Sequence, residues 1–214
     1  MAFYDFLLGG GAGQIKRHGR RLANRDAQPE DRESSATWLS ENASEDALIA
    51  LCGRFSLQLE HGLKDRKEKD LVSDLLIAHG PKGSTVARKW AAENLQFHYA
   101  VRVVERVEGA DSATRMLLDL LARESTDNEF KPEKKRNLLI ALAERRHPEI
   151  VEAGRPFLVD FDEGVRHAAI EALAAQEGDA ARPLLLVALQ NPKEESTRIR
   201  GRLAEIFQQK RWAV

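Results

Sequence analysis

The chain has 214 residues with 33 basic and 34 acidic side chains, a formal net charge of −1 and a hydrophobic share of 43%. This length and composition suit one or two compact domains, or one short solenoid, with a sizeable core. The balanced charge argues against a dedicated nucleic-acid-binding domain, and no apolar run approaches the length of a membrane span.

Cys52 is the only cysteine of the chain. A single cysteine rules out an internal disulfide and indicates a reducing compartment. The neighbouring residues Leu48, Leu51 and Phe55 are apolar, which is typical of a buried thiol. We therefore expect a cytoplasmic protein.

The chain begins with a short apolar segment followed by a run of glycines. The large apolar side chains of the segment are Phe3, Tyr4, Phe6, Leu7 and Leu8, of which the first four are the expected contact residues. The glycines of Gly9–Gly13 predict a flexible joint, so we expect residues 1–13 to form a segment apart from a helical domain over residues 14–214. The segment either packs on the first helices as a cap or docks into a partner or a lipid surface.

A basic helix is expected over Gln14–Arg25. One face carries Ile15 and Leu22, and the other face carries five cations, Lys16, Arg17, Arg20, Arg21 and Arg25. Such a cluster can bind phosphates or anionic lipid. The alternative is a solvated face that is balanced by the acids that follow it in the sequence.

The next helices are predicted from apolar spacing and from start signals. Pro29 with the acids behind it opens a helix that runs to about Leu39. Apolar residues recur at helical spacing over residues 44–60, and Ser44 is a suitable N-cap. The charged run Lys64–Asp70 then precedes further apolar positions.

The middle of the chain is punctuated by glycine and proline. His79-Gly80-Pro81 is a stop signal, and Ser84 is expected to cap the helix after it. The spacing of the apolar residues favours a helix over a strand between Phe97 and Val107, with Gly109 at its end. Another amphipathic helix is predicted over residues 110–124.

The second half of the chain repeats one pattern at intervals of about 30 residues. A helix begins near Pro132, and its positions Arg136, Leu139, Ile140 and Ala143 have the same offsets as Arg166, Ala169, Ile170 and Leu173. Pro156 is expected to shorten or bend the helix between these two copies. Helix pairs that recur at such intervals indicate an α-solenoid, because each pair buries its apolar stripe only against its neighbours.

The stretch Asp162-Glu-Gly-Val-Arg166-His-Ala-Ala-Ile-Glu-Ala-Leu173 resembles the HEAT repeat, and most closely the bacterial HEAT-like form named after phycobilisome lyases. The resemblance implies a right-handed superhelix of about five to six antiparallel helix pairs, an all-α fold in which the second helices line the concave side. It also implies a ladder of acids and arginines between repeats. Its members here would be Arg136, Asp162, Arg166 and Arg200, with the alternative that the arginines form a basic stripe on the concave face. Lys134 and Lys135 depart from the motif, which has Val before Arg.

No residue pattern in the sequence predicts catalysis, a cofactor or a metal site. The His-Glu pairs of HEAT-like hydroxylases are absent from the sequence, and the helical neighbours His167 and Glu171 are too few to hold a metal. We therefore predict a non-enzymatic adaptor that binds protein partners in its concave groove. Two alternatives stay open: a nucleic-acid-binding, glycosylase-like protein, and a scaffold attached to a membrane surface through residues 1–25.

Overall fold

The computed structural model describes residues 11–126 and 131–213, and within these ranges the chain forms twelve α-helices, two 3₁₀-helices and no strand. The predicted all-α architecture is therefore confirmed. The chain divides into two compact units, Met1–Ala113 and Thr114–Val214. The boundary expected at residue 13 stays a prediction.

The first unit contains six whole helices among its described residues and the start of a seventh. They are α1 Gly11–Leu22, α2 Pro29–Asn42, α3 Glu45–Cys52, α4 Gly62–Ala78, α5 Pro81–Glu93 and α6 His98–Glu108, while α7, Ala110–Leu121, contains the division between the units. Two helices follow glycines with positive φ, Gly80 at 55° and Gly109 at 97°, a conformation that glycine adopts without a steric cost. Both turns confirm the predicted helix ends.

In the first unit, helices pack mainly on helices that are close to them in the sequence. Helix α1 packs on α2 and α3, α3 packs on α5, and α4 and α5 both pack on α6. Apolar side chains of these helices and of the segments between them are fully buried, among them Leu39, Leu51, Leu76, Phe55 and Phe97. The unit therefore has a core to which nearly every helix contributes.

The start of the chain differs from the expectation where it is described. Gly11 and Gly13 lie inside α1, so this part of the predicted glycine joint is helical. Glycine costs least in a first helical turn, where the N–H groups have no intrahelical partner in any case. Residues 1–10 of the predicted segment over residues 1–13 lie outside the described residues.

The helix predicted over residues 44–60 is shorter than expected. Ser44 caps it as predicted by accepting a hydrogen bond from Ala47 N–H, but α3 ends at Cys52 and a 3₁₀-helix, Gly53–Ser56, follows. The extended backbone beyond it is held by side chains, because Arg54 donates to the Leu57 carbonyl at 2.9 Å. These side-chain bonds replace the helical ones.

Ser84 is not the helix cap that the sequence suggested. Helix α5 begins at Pro81, so Ser84 lies in its first turns, fully buried. Its hydroxyl donates to the Glu108 carboxylate at the end of α6. The residue therefore joins two helices instead of starting one.

The second unit consists of shorter helices. Its elements after α7 are α8 Pro132–Ala143, α9 Glu149–Gly154, the 3₁₀-helix Arg155–Val159, α10 Glu163–Ala174, α11 Arg182–Leu189 and α12 Thr197–Gln209. Pro156 lies in the 3₁₀-helix, which confirms that this helix is shortened. Helix α10 packs on α8, α9, α11 and α12, so it is the centre of the unit.

Candidate functional site

An open groove of about 400 Å³ lies along the second helices of the repeats in the second unit, α8, α10 and α12. Its lining residues are Arg136, Ile140, Ala143, Gly164, His167, Ala168, Glu171 and Arg198. The groove therefore combines apolar side chains with charged side chains of both signs.

Ile140 gives the groove an exposed apolar surface. The sequence placed Ile140 at the same repeat position as Ile170, but Ile140 is 45% exposed and Ile170 is 1% exposed. The buried stripe of α8 is formed by Leu138, Leu139 and Leu142 instead. Because these leucines already fill the core, Ile140 is left facing the groove.

Two arginines on different helices contribute positive charge to this groove. Arg136 lies on α8 next to Gly164, where an added Cβ would come within 3.2 Å of Arg136 Cδ. Within residues 11–126 and 131–213, no acid forms an ion pair with Arg136. Arg198 on α12 has a 65% exposed side chain, and its only ion pair in the same ranges is to Glu163 at 3.8 Å. Arg198 was not predicted as a site residue, because no motif or spacing in the sequence distinguishes it from the other arginines.

Glu171 and His167, the acid and the histidine of the groove, interact with neighbouring side chains. Glu171 accepts hydrogen bonds from Arg202 Nε at 2.5 Å and Nη2 at 2.9 Å, and these bonds lower the pKa of its carboxyl. His167 Nε2 lies 3.8 Å from Glu171 Oε1. Burial, together with the charge of Arg198, lowers the pKa of His167, so its ring is neutral at neutral pH. The lining thus retains Arg136 and Arg198 as its least compensated charges.

Arg166, the centre of the recognised motif, faces structural partners. Its guanidinium donates to both carboxylate oxygens of Glu194, at 2.8 and 3.0 Å, and to the carbonyls of Asp160 and Phe161. Burial opposes the charge of Glu194, but the bonds from Arg166 and Ser196 N–H outweigh it and lower the pKa of this carboxyl. Arg166 therefore ties the α10 repeat to the turn that precedes α12, as a ladder residue does.

Asp162 is a helix cap and not the ladder residue that the resemblance implied. Its carboxylate accepts a hydrogen bond from Val165 N–H at 2.9 Å and caps α10. The acids that reach the preceding repeat are Asp160 and Glu194, each two residues before a cap. Each also accepts the backbone N–H of its cap residue, Asp162 or Ser196, at 2.9 Å.

In α8 the ladder cation is Lys135, not Arg136. Lys135 stands at the position of Val165 and is 1% exposed, and its ammonium donates to Asp160 at 2.6 Å. The sequence recorded this lysine only as a departure from the motif. The available signal was Asp160, an acid placed two residues before a helix cap in a turn that lies against α8.

In the first unit, Arg32 makes the same kind of contacts as Arg166. Arg32 donates to both oxygens of Glu68, at 2.8 and 2.7 Å, and to the backbone carbonyls of the preceding turn. Glu68 also accepts from Arg54, which is fully buried. Arg200, by contrast, is exposed on α12 and acts on Glu194 only through its charge.

The predicted basic cluster lies on the surface of α1. Lys16, Arg17 and Arg20 are exposed, and Arg21 is partly exposed with Asp31 at 3.8 Å. The predicted contact residues Phe3, Tyr4, Phe6 and Leu7 lie outside the described residues.

Among the described residues, no three His, Cys, Asp or Glu side chains come together as a metal site. In the same part of the chain, no helix combines the length and the apolar character needed to cross a bilayer.

Residues 114–204 match the family model described as HEAT repeats, which covers most of the second unit. Together with the all-helical architecture, this match confirms the α-solenoid fold class and the resemblance of the stretch around Arg166 to the HEAT repeat. No curated protein and no solved structure matches the chain.

Proposed function

We propose that the chain is a non-enzymatic scaffold whose second unit binds an extended segment of a partner protein in the groove of α8, α10 and α12. The observation that supports this most directly is the exposure of Ile140 in a groove that two arginines from different helices also line. Proteins built on HEAT repeats commonly act as interaction scaffolds, and stacked repeats present their second helices as a binding surface.

The lining defines the kind of segment that fits. An apolar side chain of the partner would cover Ile140, Ala143 and Ala168, which supplies the affinity of burial. An acidic side chain next to it would reach Arg136 or Arg198. We infer a partner motif that contains an apolar residue close to an acid.

Ile140→Glu tests the proposal, because residue 140 is exposed and glutamate keeps a high helix propensity. Val187→Glu on α11 is the matched control, since Val187 is also an exposed apolar residue and is 70% exposed. Proteins captured from a lysate by the wild type and by Val187→Glu should be lost with Ile140→Glu and with Arg136→Glu. If folded Ile140→Glu captures the same proteins as the wild type, the groove is not the binding site.

Arg166 is unsuitable for this test, although it is the motif residue. A substitution there would leave Glu194 buried without its cation and would report on folding. Groove variants must therefore leave Arg166 in place.

Two finer assignments belong to the same proposal. A cytoplasmic location is supported by the single cysteine, which leaves the chain without an internal disulfide. A bacterial origin and the phycobilisome-lyase type of repeat are supported by the Asp162–Leu173 motif.

A further inference from the structure

The first unit has a groove of its own between helices α4 and α6. This α4–α6 groove has a volume of about 370 Å³ and is lined by Arg66, Asp70, His98, Tyr99 and Arg102. Arg66 and Asp70 lie about one turn apart on α4, and His98 and Arg102 lie about one turn apart on α6. The groove therefore receives charged and polar side chains from both of its walls.

Arg66 is a cation of this groove without an ionic partner. Its side chain is exposed on α4, and within residues 11–126 and 131–213 no acid forms an ion pair with it. Arg102 of α6 pairs with Asp70 instead, and the two side chains are 42% and 36% exposed. Solvent weakens a pair with this exposure, so Arg102 can exchange Asp70 for a bound anion at little cost.

Tyr99 and His98 add two further hydrogen-bond donors. The Tyr99 ring is stacked on Phe55, with centroids 5.4 Å apart, which fixes its position. Burial, followed by the charge of Asp70, raises the pKa of the Tyr99 hydroxyl, so this group keeps its proton at neutral pH. His98 is exposed in the first turn of α6, and its ring stacks on Phe97 with centroids 5.1 Å apart.

Positive charge is in excess both in the groove and behind it. In the lining, Arg66 and Arg102 face the single acid Asp70, which leaves one positive charge. Behind it, three cations share two acids in a largely buried network, whose members are Arg32, Arg54, Lys69, Asp65 and Glu68. This network therefore leaves a second positive charge, and its Lys69 Nζ lies 5.8 Å from the centre of the Tyr99 ring.

We propose that the α4–α6 groove binds a phosphate monoester, at a site separate from the groove of α8, α10 and α12. A phosphate monoester carries a charge of about −1.5 to −2 at neutral pH, which matches the two positive charges in excess. A carboxylate would offset only one of them. The three terminal oxygens of the phosphate can also accept hydrogen bonds from Arg66 and Arg102 on opposite walls and from the Tyr99 hydroxyl.

The test is a titration of the full chain, labelled with ¹⁵N, in which amide shifts are measured at constant ionic strength. The probes are glycerol phosphate, a short phosphoserine peptide with blocked ends, and acetate as the carboxylate. Arg66→Gln removes the unpaired cation of the groove. Lys67→Gln is the matched control, because Lys67 is an exposed cation on the same helix that does not line the groove.

Both phosphate probes should shift amides of α4 and α6 and bind about tenfold or more tightly than acetate. Arg66→Gln should weaken this binding about tenfold, whereas Lys67→Gln should change it by less than about twofold. Asp70→Asn should tighten it, because the variant removes the acid that competes for Arg102. Tighter binding of the peptide would identify a phosphorylated protein as the ligand, and tighter binding of glycerol phosphate would identify a small molecule.

Three results would overturn the proposal. The first is acetate binding as tight as that of the phosphate probes, and the second is an equal loss in Arg66→Gln and Lys67→Gln. The third is weaker phosphate binding in Asp70→Asn, because a groove that reads negative charge must gain when its own acid is removed.

Discussion

Lys135 and Asp160 form a buried ion pair at 2.6 Å, in which the side chains are 1% and 0% exposed. Lys135 also donates to the Ser125 carbonyl, and Asp160 accepts the Asp162 N–H. The pair therefore joins the turn before α8, α8 itself and the turn before α10. A lysine in the place of a motif valine thus links consecutive repeats.

Lys135→Met should destabilise the second unit by about 3–5 kcal/mol, because it leaves the Asp160 carboxylate buried without a cation. The free energy of unfolding from urea titrations measures this loss. Lys131→Met, at an exposed position, is the control and should stay within about 0.5 kcal/mol. Adding Asp160→Asn to Lys135→Met should recover part of the stability, and an additive double variant would contradict the pairing.

Arg166 and Arg200 occupy the same repeat position but should differ in energy. Arg166→Gln removes two hydrogen bonds from Glu194, whose side chain is 5% exposed, and should cost about 2–4 kcal/mol. Arg200→Gln should change stability by about 0.5 kcal/mol or less, because Arg200 is exposed. Equal losses measured in urea for the two variants would show that Arg200 is also a ladder residue.

Periodicity predicted the helices but not the buried charges. Apolar spacing treats a charged residue as solvated, so Lys64–Asp70 was assigned no buried role, yet Asp65 and Lys69 are each 6% exposed. They lie in α4 and pair with each other at 2.8 Å. The spacing of four residues on one helix is visible in the sequence, but the burial of the pair involves Arg54, which donates to Asp65 from outside α4, and apolar periodicity cannot find such a partner.

The repeat pattern predicted a groove lined by the second helices, but it identified only some of the residues that line it. The repeat pattern placed Arg136 on a second helix, where it now lines the groove. The same pattern treated Arg166 as equivalent to it, although Arg166 pairs with Glu194, whereas the acid at the corresponding place before α10, Asp160, pairs with Lys135. Which cation binds the acid of the next repeat thus depends on contacts that the repeat spacing does not show.

The stability of the first unit should depend on pH through Glu108. The bond from Arg88 is the main cause that lowers the pKa of its carboxyl to about 2, with help from Ser112 and Ser84. Because the folded pKa is below the unfolded value of about 4.5, the contribution is complete above about pH 4.5 and is lost as the pH falls towards 2. The difference in urea midpoint between the wild type and Glu108→Gln should therefore shrink over this range. The exposed Glu93→Gln should give a small difference that does not follow this course, and a Glu108→Gln difference that is constant with pH would refute the pairing.

Cys52 should be unreactive in the folded protein. The side chain is 0% exposed, and burial raises the pKa of its thiol to about 12, so the reactive thiolate is scarce at neutral pH. Modification by a chromogenic disulfide reagent should be roughly a thousandfold or more slower in buffer than in urea, because it requires unfolding. Similar rates in both solvents would show that the α3 region opens without global unfolding.

Two helical glycines should respond in opposite ways to alanine. In α5, a Cβ at Gly83 would lie 1.9 Å from the Leu76 carbonyl oxygen, so Gly83→Ala forces α4 and α5 apart and should cost roughly 1–3 kcal/mol or more. In α12, a Cβ at Gly201 meets nothing within 4 Å, so Gly201→Ala should stabilise by about 0.5–1 kcal/mol through its higher helix propensity. Thermal and urea unfolding of both variants measure the two effects. A stable Gly83→Ala would mean that the close approach of α4 and α5 is absent in solution.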